Sequence, residues 1–386
     1  MLDTKRRKLI AAAALAIGAT LAAPLSWSQS KEPLKFGVAM PATGAEGVYG
    51  ADFTLVARWA VADINAKGGI NGRPLEMIAL DTRAEPALGI TTVNRLISVD
   101  KVPVFMVAWS GVVKAVAPIA NREKVLELSV GANSPDIAKL GDYVYTTFPL
   151  AEVDVTALAG YVHDKLGKKT AAVMYINNDS GTEGARIYRS VFEKAGGKVV
   201  AFEAYDPKAT DFSGIVQKVR SANPEIVHIH GLMADTPLVI AQMRQLGMNQ
   251  RVTSYGAAYN VKIIERLGPQ ANGLLVTSLS PGAAQSPNVA AFYKRWQDTE
   301  KRVSAVQGYT QYVYDSVVLI GELYKWVLDK GLPPTGENLR KALLAIRKFE
   351  LPMTGPLEIG DDHRVRKPVF LWTVEKEQFV QEAIVK

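Results

Sequence analysis

The chain has 386 residues, 48% of them hydrophobic and 22% charged, which is enough to bury the cores of two globular domains and excludes a largely disordered protein. Its formal charge is +7, but Lys5, Arg6, Arg7 and Lys8 against Asp3 put +3 of that in the first 28 residues. The remaining charge is mild, and no Lys/Arg cluster interleaved with aromatics occurs, so nucleic acid is not an expected partner. There is no cysteine, which excludes disulfides, thiol chemistry and a lipid-modified cysteine.

In chain order, residues 1–28 read as a signal peptide. Basic residues 5–8 precede "LIAAAALAIGATLAA", an apolar run shorter than the ~20 residues a spanning helix needs. A small-x-small site at Ser26-Trp27-Ser28, or near Ala22-Ala23, would release an exported, periplasmic protein. "LKFGVAMPA" then predicts a buried strand, and Phe53, Val56, Ala57, Ala60 and Ile64 share one helical face. "GGINGRP" ends that helix and leads to the strand "LEMIALD". A helix around Ile90, Val93 and Ile97 leads to the strand "VPVFMVA". A second cycle begins near residue 150. Val155, Leu158, Ala159, Val162 and Leu166 form a helical stripe, followed by the strands "KTAAVMYI", "KVVAFEAY", "EIVHIH" and "GLLVTS" with helices between them. Two such series without a long linker predict an α/β fold of two doubly wound parallel-sheet lobes facing each other across a ligand cleft.

Ser110, in "VAWSGVVKAV", stands where an apolar strand stops and a helical pattern starts. As a nucleophile it would need a histidine base oriented by a third group. The four histidines are His163, His228, His230 and His363; His230 alone, at a strand's carboxyl end, could reach the cleft, or it could be structural. The glycine two positions before the serine of a hydrolase elbow is missing. The alternatives are a plain helix cap or a hydroxyl donor to an anion at the helix start.

The segments "LKFGVAMPATGAEGVYGADFTLVARWAVADINAKGGINGRPLEMIALDT", "PIANREKVLELSVGANSPDI", "DFSGIVQKVRSANPEIVHIHG" and "YDSVVLIGELY" resemble the periplasmic leucine/isoleucine/valine-binding protein family, the substrate-binding components of ABC importers for amino acids and related small molecules. The resemblance implies a type I periplasmic-binding fold with three crossovers, lobe one from 31–150 plus 279–355 and lobe two from 151–278 plus 356–386. It further implies that Ser110 grips a ligand carboxylate, that Tyr49 walls the ligand side chain, and that Gly131 and Asn133 match the positions that hold the amino and carboxylate groups. Ser180 stands where a tyrosine is common, which enlarges the cleft. Gly256 stands where amino-acid binders place an acid for the ligand ammonium, so either Asp235 or Glu183 replaces it or the ligand has no amino group. Trp109, Tyr49, Tyr255 and Tyr259 could line an apolar pocket.

These readings give a periplasmic substrate-binding protein, expected to be a monomer, that takes an apolar or aromatic carboxylate by hinge closure and serves an ABC permease in the inner membrane. Branched-chain amino acids are the alternative ligand, and a serine hydrolase using Ser110, or a sensory receptor, the alternatives from other classes. No catalytic residue, cofactor or metal is expected. The glycines at 44, 47 and 50 lack dinucleotide spacing, no phosphate-loop motif occurs, and His228 and His230 have no third ligand nearby.

Overall fold

A computed structural model describes residues 32–304, 306–365 and 367–385, with the side chain of Gln307 left aside; the expected signal peptide, 1–28, lies outside the described residues. The first series runs β1 (Leu34–Met40), α1 (Gly47–Ala66), β2 (Leu75–Asp81), α2 (Pro86–Ser98), β3 (Val104–Val107), α3 (Ser110–Glu123), β4 (Leu126–Ser129) and β5 (Val144–Thr146). Its strands pair in parallel in the order β2-β1-β3-β4-β5. Because crossover helices cover both faces, β3 and β4 are buried at every residue. Gly50 lets α1 pass close to the loop before it, since a Cβ there would lie 1.8 Å from the Pro41 carbonyl oxygen.

The second series runs α4 (Ala151–Asp164), β6 (Thr170–Ile176), α5 (Asp179–Lys194), β7 (Lys198–Tyr205), α6 (Ser213–Ser221), β8 (Ile226–His230), α7 (Thr236–Gln245), β9 (Arg251–Ser254), α8 (Val261–Leu267) and β10 (Leu275–Ser278). The chain then returns to the first lobe through α9 (Pro287–Glu300), α10 (Gln307–Asp329), α11 (Gly336–Ile346) and the hairpin β11 (Lys348–Leu351) and β12 (Gly355–Glu358). Trp296 of α9 meets Trp59 of α1 at 4.9 Å between ring centroids, and the Tyr324 hydroxyl of α10 donates to the Lys35 carbonyl of β1. These contacts seat the returning helices on the first sheet.

The last strands, β13 (Val369–Glu375) and β14 (Gln378–Val385), join the second sheet, whose order is β14-β13-β10-β9-β8-β6-β7. From β10 to β7 this sheet is parallel, as the doubly wound pattern predicts, and β13, which the alternation did not include, pairs antiparallel with both β10 and β14. Lys376 and Glu377 both have positive φ, 48° and 60°, the geometry of a two-residue hairpin turn, and so short a turn can only reverse the chain.

Candidate functional site

The carboxyl ends of β3 and β4 face those of the second sheet, and a cavity of about 290 Å³ lies between the lobes. One wall begins where β3 stops. Trp109 has φ 67° and ψ 121°, a conformation unusual for a residue with a side chain, and precedes α3 without capping it. Edge-on packing on Tyr49 (5.4 Å) and contact with Phe53 (6.1 Å) hold its ring. Ser110 follows as the first residue of α3, 4% exposed. Its Oγ accepts from the Ser134 backbone N–H at 3.2 Å, which leaves the hydroxyl hydrogen free to donate beside the unpaired N–H groups of the helix start.

The segment after β4 carries Gly131 and Asn133. Gly131 has φ 79°, and a Cβ there would sit 3.1 Å from the Tyr309 ring. Gly131→Ala should therefore cost about 1–2 kcal/mol of stability through backbone strain and contact with the ring, measurable as a lowered denaturant midpoint at unchanged slope. Asn133 Oδ1 accepts from Ser180 Oγ at 2.5 Å, a bond between the two lobes that leaves the Asn133 amide nitrogen as a donor. Ser180 lies in the first turn of α5, which Asn178 caps by accepting from Gly181 N–H at 2.8 Å.

Aromatic rings make the remaining walls. Phe53 stacks near Tyr309 (6.4 Å), and Tyr309 lies on Phe148 (4.8 Å). From the second lobe, Tyr255 stacks on His230 at 3.9 Å with the planes 1° apart. The Tyr49 hydroxyl crosses to donate to the Ala257 carbonyl at 3.2 Å. Burial pushes the phenols of Tyr49, Tyr255 and Tyr309 above their ordinary range, so all three are neutral at physiological pH.

Of the residues expected at the site, Tyr49, Trp109, Ser110, Gly131, Asn133, Ser180 and Tyr255 line this cavity, and His230, Gly256 and Tyr259 do not. His230 is fully buried behind Tyr255, with its Nδ1 3.2 Å from His228 Nε2. Burial holds its pKa down to about 3, so it is neutral, and its Nδ1 is turned to His228 and not to the cavity that Ser110 lines. Gly256 faces Thr277 and Tyr309, and Tyr259 packs on Trp372 and Phe379. The cavity also takes Phe53, Tyr309, Leu232, Ala257 and Asp179. Phe53 belongs to a helical stripe that reads equally as core, and nothing local in "VQGYTQ" marks Tyr309; only the return of α10 brings it here.

The family model described as "Periplasmic binding protein" matches residues 33–378. The chain belongs to the periplasmic binding protein family. A relative from Pseudomonas aeruginosa named as a leucine-, isoleucine-, valine-, threonine- and alanine-binding protein is 26% identical over 354 residues, covering 90% of this chain and 92% of its own. The fold matches the substrate-binding protein of a branched-chain amino acid transporter from Streptococcus pneumoniae, solved with isoleucine, at a TM-score of 0.82 and 21% identity over 92% of this chain and 99% of that one. It also matches an ABC transporter solute-binding protein from R. palustris, solved with benzoate, at a TM-score of 0.81 and 19% identity over 91% and 96%.

In this periplasmic binding protein the two acids expected as partners for a ligand ammonium are already engaged. Glu183 bonds Lys114 at 2.8 Å, and Asp235 accepts from the Tyr205 hydroxyl and from Leu232 N–H; neither lines the cavity. Asp154 lies behind Gly256, accepting from its N–H at 3.5 Å and from Thr277 Oγ1 at 2.7 Å. Burial raises its pKa to about 6. The one carboxylate on the cavity wall among the described residues, Asp179, sits at its rim, half-exposed and 3.7 Å from Lys114 Nζ.

Proposed function

We propose that this periplasmic binding protein captures a small carboxylate with an aromatic or other apolar body and no amino group. Its two lobes close on the ligand, and the ligand is handed on unchanged to an ABC permease in the inner membrane. The observation that carries this reading is the imbalance of the cavity wall. Ser110, Asn133 and the start of α3 offer donors, whereas the only wall carboxylate among the described residues faces a lysine. An anion entering such a site exchanges water for fixed donors. An ammonium would be desolvated without a free partner, at a cost of several kcal/mol. The rings of Tyr49, Phe53, Trp109, Tyr255 and Tyr309 suit a flat or branched body, and benzoate is the ligand of the R. palustris relative in fold.

Closure follows from differential contact, because a ligand touching both lobes favours the state in which both are near. Export as a monomer after loss of residues 1–28 completes the reading. A branched-chain amino acid is the second reading, favoured by the name of the P. aeruginosa relative and by the presence of Asp179 at the rim. Thermal unfolding against paired ligands separates the two. Benzoate and phenylacetate at about a hundredfold over their dissociation constants should each add ~2.7 kcal/mol, while leucine and phenylalanine leave the transition in place. Stabilisation by the amino acids and not by the amine-free acids would reverse the assignment.

A further inference from the structure

We propose that Lys114 is a positioning residue that latches the two lobes together, through an ion-pair node that also orients the ligand-gripping hydroxyl. Lys114 lies on α3 four residues after Ser110, so the two project from the same face one turn apart. Its Nζ is 2.8 Å from Glu183 and 3.7 Å from Asp179, both on α5 of the second lobe, and 3.2 Å from Asp136 of the first. The second carboxylate oxygen of Glu183 accepts from Ser134 Oγ, and Ser134 N–H is the group that donates to Ser110 Oγ. One acid of the second lobe thus meets the cation of α3 and pins the segment that orients Ser110. Lys114 and Glu183 side chains are each 22% exposed, so water screens the pair less than it would a surface bridge. Without the ammonium, Asp136 of one lobe would face Asp179 and Glu183 of the other, and like charges would push the cleft open.

The proposal predicts a closed population held by the node even without ligand. The chain has no cysteine, so Glu123→Cys and Lys194→Cys, at the far ends of α3 and α5, accept a donor and an acceptor dye uniquely. In ligand-free protein, Lys114→Met should lower the closed-to-open ratio read by energy transfer about tenfold. Lys114→Arg should restore most of it, and Glu183→Gln should lower it in the same direction. Circular dichroism of Lys114→Met should match the parent, which separates lost closure from lost folding. With benzoate as probe, Lys114→Met should speed dissociation about tenfold and leave association nearly unchanged. A ratio indifferent to both substitutions, or a ligand-free parent with no closed population, would overturn the latch. The benzoate arm rests on the ligand class proposed above. A parent that closes through Lys114 and binds no benzoate therefore counts against that class alone.

Discussion

Asn133→Asp should weaken benzoate binding by at least about a hundredfold at pH 7, equivalent to about 3 kcal/mol. The replacement is isosteric. Its first oxygen can still accept from Ser180 Oγ, as Oδ1 does at 2.5 Å, so the contact between lobes survives. The other atom changes from an N–H donor into half of an anion, 4% exposed in the parent, with the ligand carboxylate against it. Two buried like charges cannot both stay ionised cheaply. One of them must take up a proton, so affinity should recover as the pH falls through the carboxylate range, whereas the parent should not regain affinity in that window. Titration calorimetry at pH 7 and pH 5 reads both effects. Benzoate binding undiminished in this variant would remove Asn133 from the anion grip.

Glu127→Met should stabilise the protein by about 1–3 kcal/mol at neutral pH, the usual cost of a buried polar group left without a partner. Glu127 is fully buried in β4, its cross-strand neighbours are Phe105 and Val144, and neither carboxyl oxygen has a hydrogen-bond partner. Burial pushes its pKa well above the ordinary glutamate range. The sign of the pH effect follows from that direction. Below the unfolded value near 4.5, both states hold the proton and the group adds no pH dependence to stability. Above it the unfolded chain releases the proton while the folded chain keeps it, so stability is lost as pH rises towards the folded pKa. The gap between Glu127→Met and the parent should therefore widen from pH 4.5 to pH 8, and Glu127→Gln should remove that pH dependence while retaining part of the unpaired cost. Denaturant unfolding across this range is the measurement. A gap that stays constant with pH would mean Glu127 does not hold its proton.

Much of the polar half of the cavity wall was legible because it is local. Ser110, Asn133 and Ser180 stand at strand ends or helix starts, where a parallel sheet must present its loops, and the strand-helix rhythm locates those ends to within a few residues. His230 and Gly256 stand off the cavity wall for the opposite reason. His230 ends β8 and Gly256 follows β9, yet depth within the lobe depends on which ring covers which. Tyr255, stacked on His230 at 3.9 Å, takes the place on the cavity wall and leaves the histidine behind it. A strand's periodicity tells which face a side chain shares, but not which ring of a neighbouring segment covers it.

By itself the sequence determined the alternation of strands and helices, and with it two α/β lobes, because apolar period and turn chemistry are properties of neighbouring residues. Only the tertiary structure decided that Tyr309, more than two hundred residues from Phe53, shares a wall with it, and that Lys114 meets Glu183 across the cleft. It also decided that the buried acids lie behind the wall instead of on it. Those outcomes depend on how the returning helices and the two lobes pack, where small differences in burial settle which charge is paired and which group reaches the ligand.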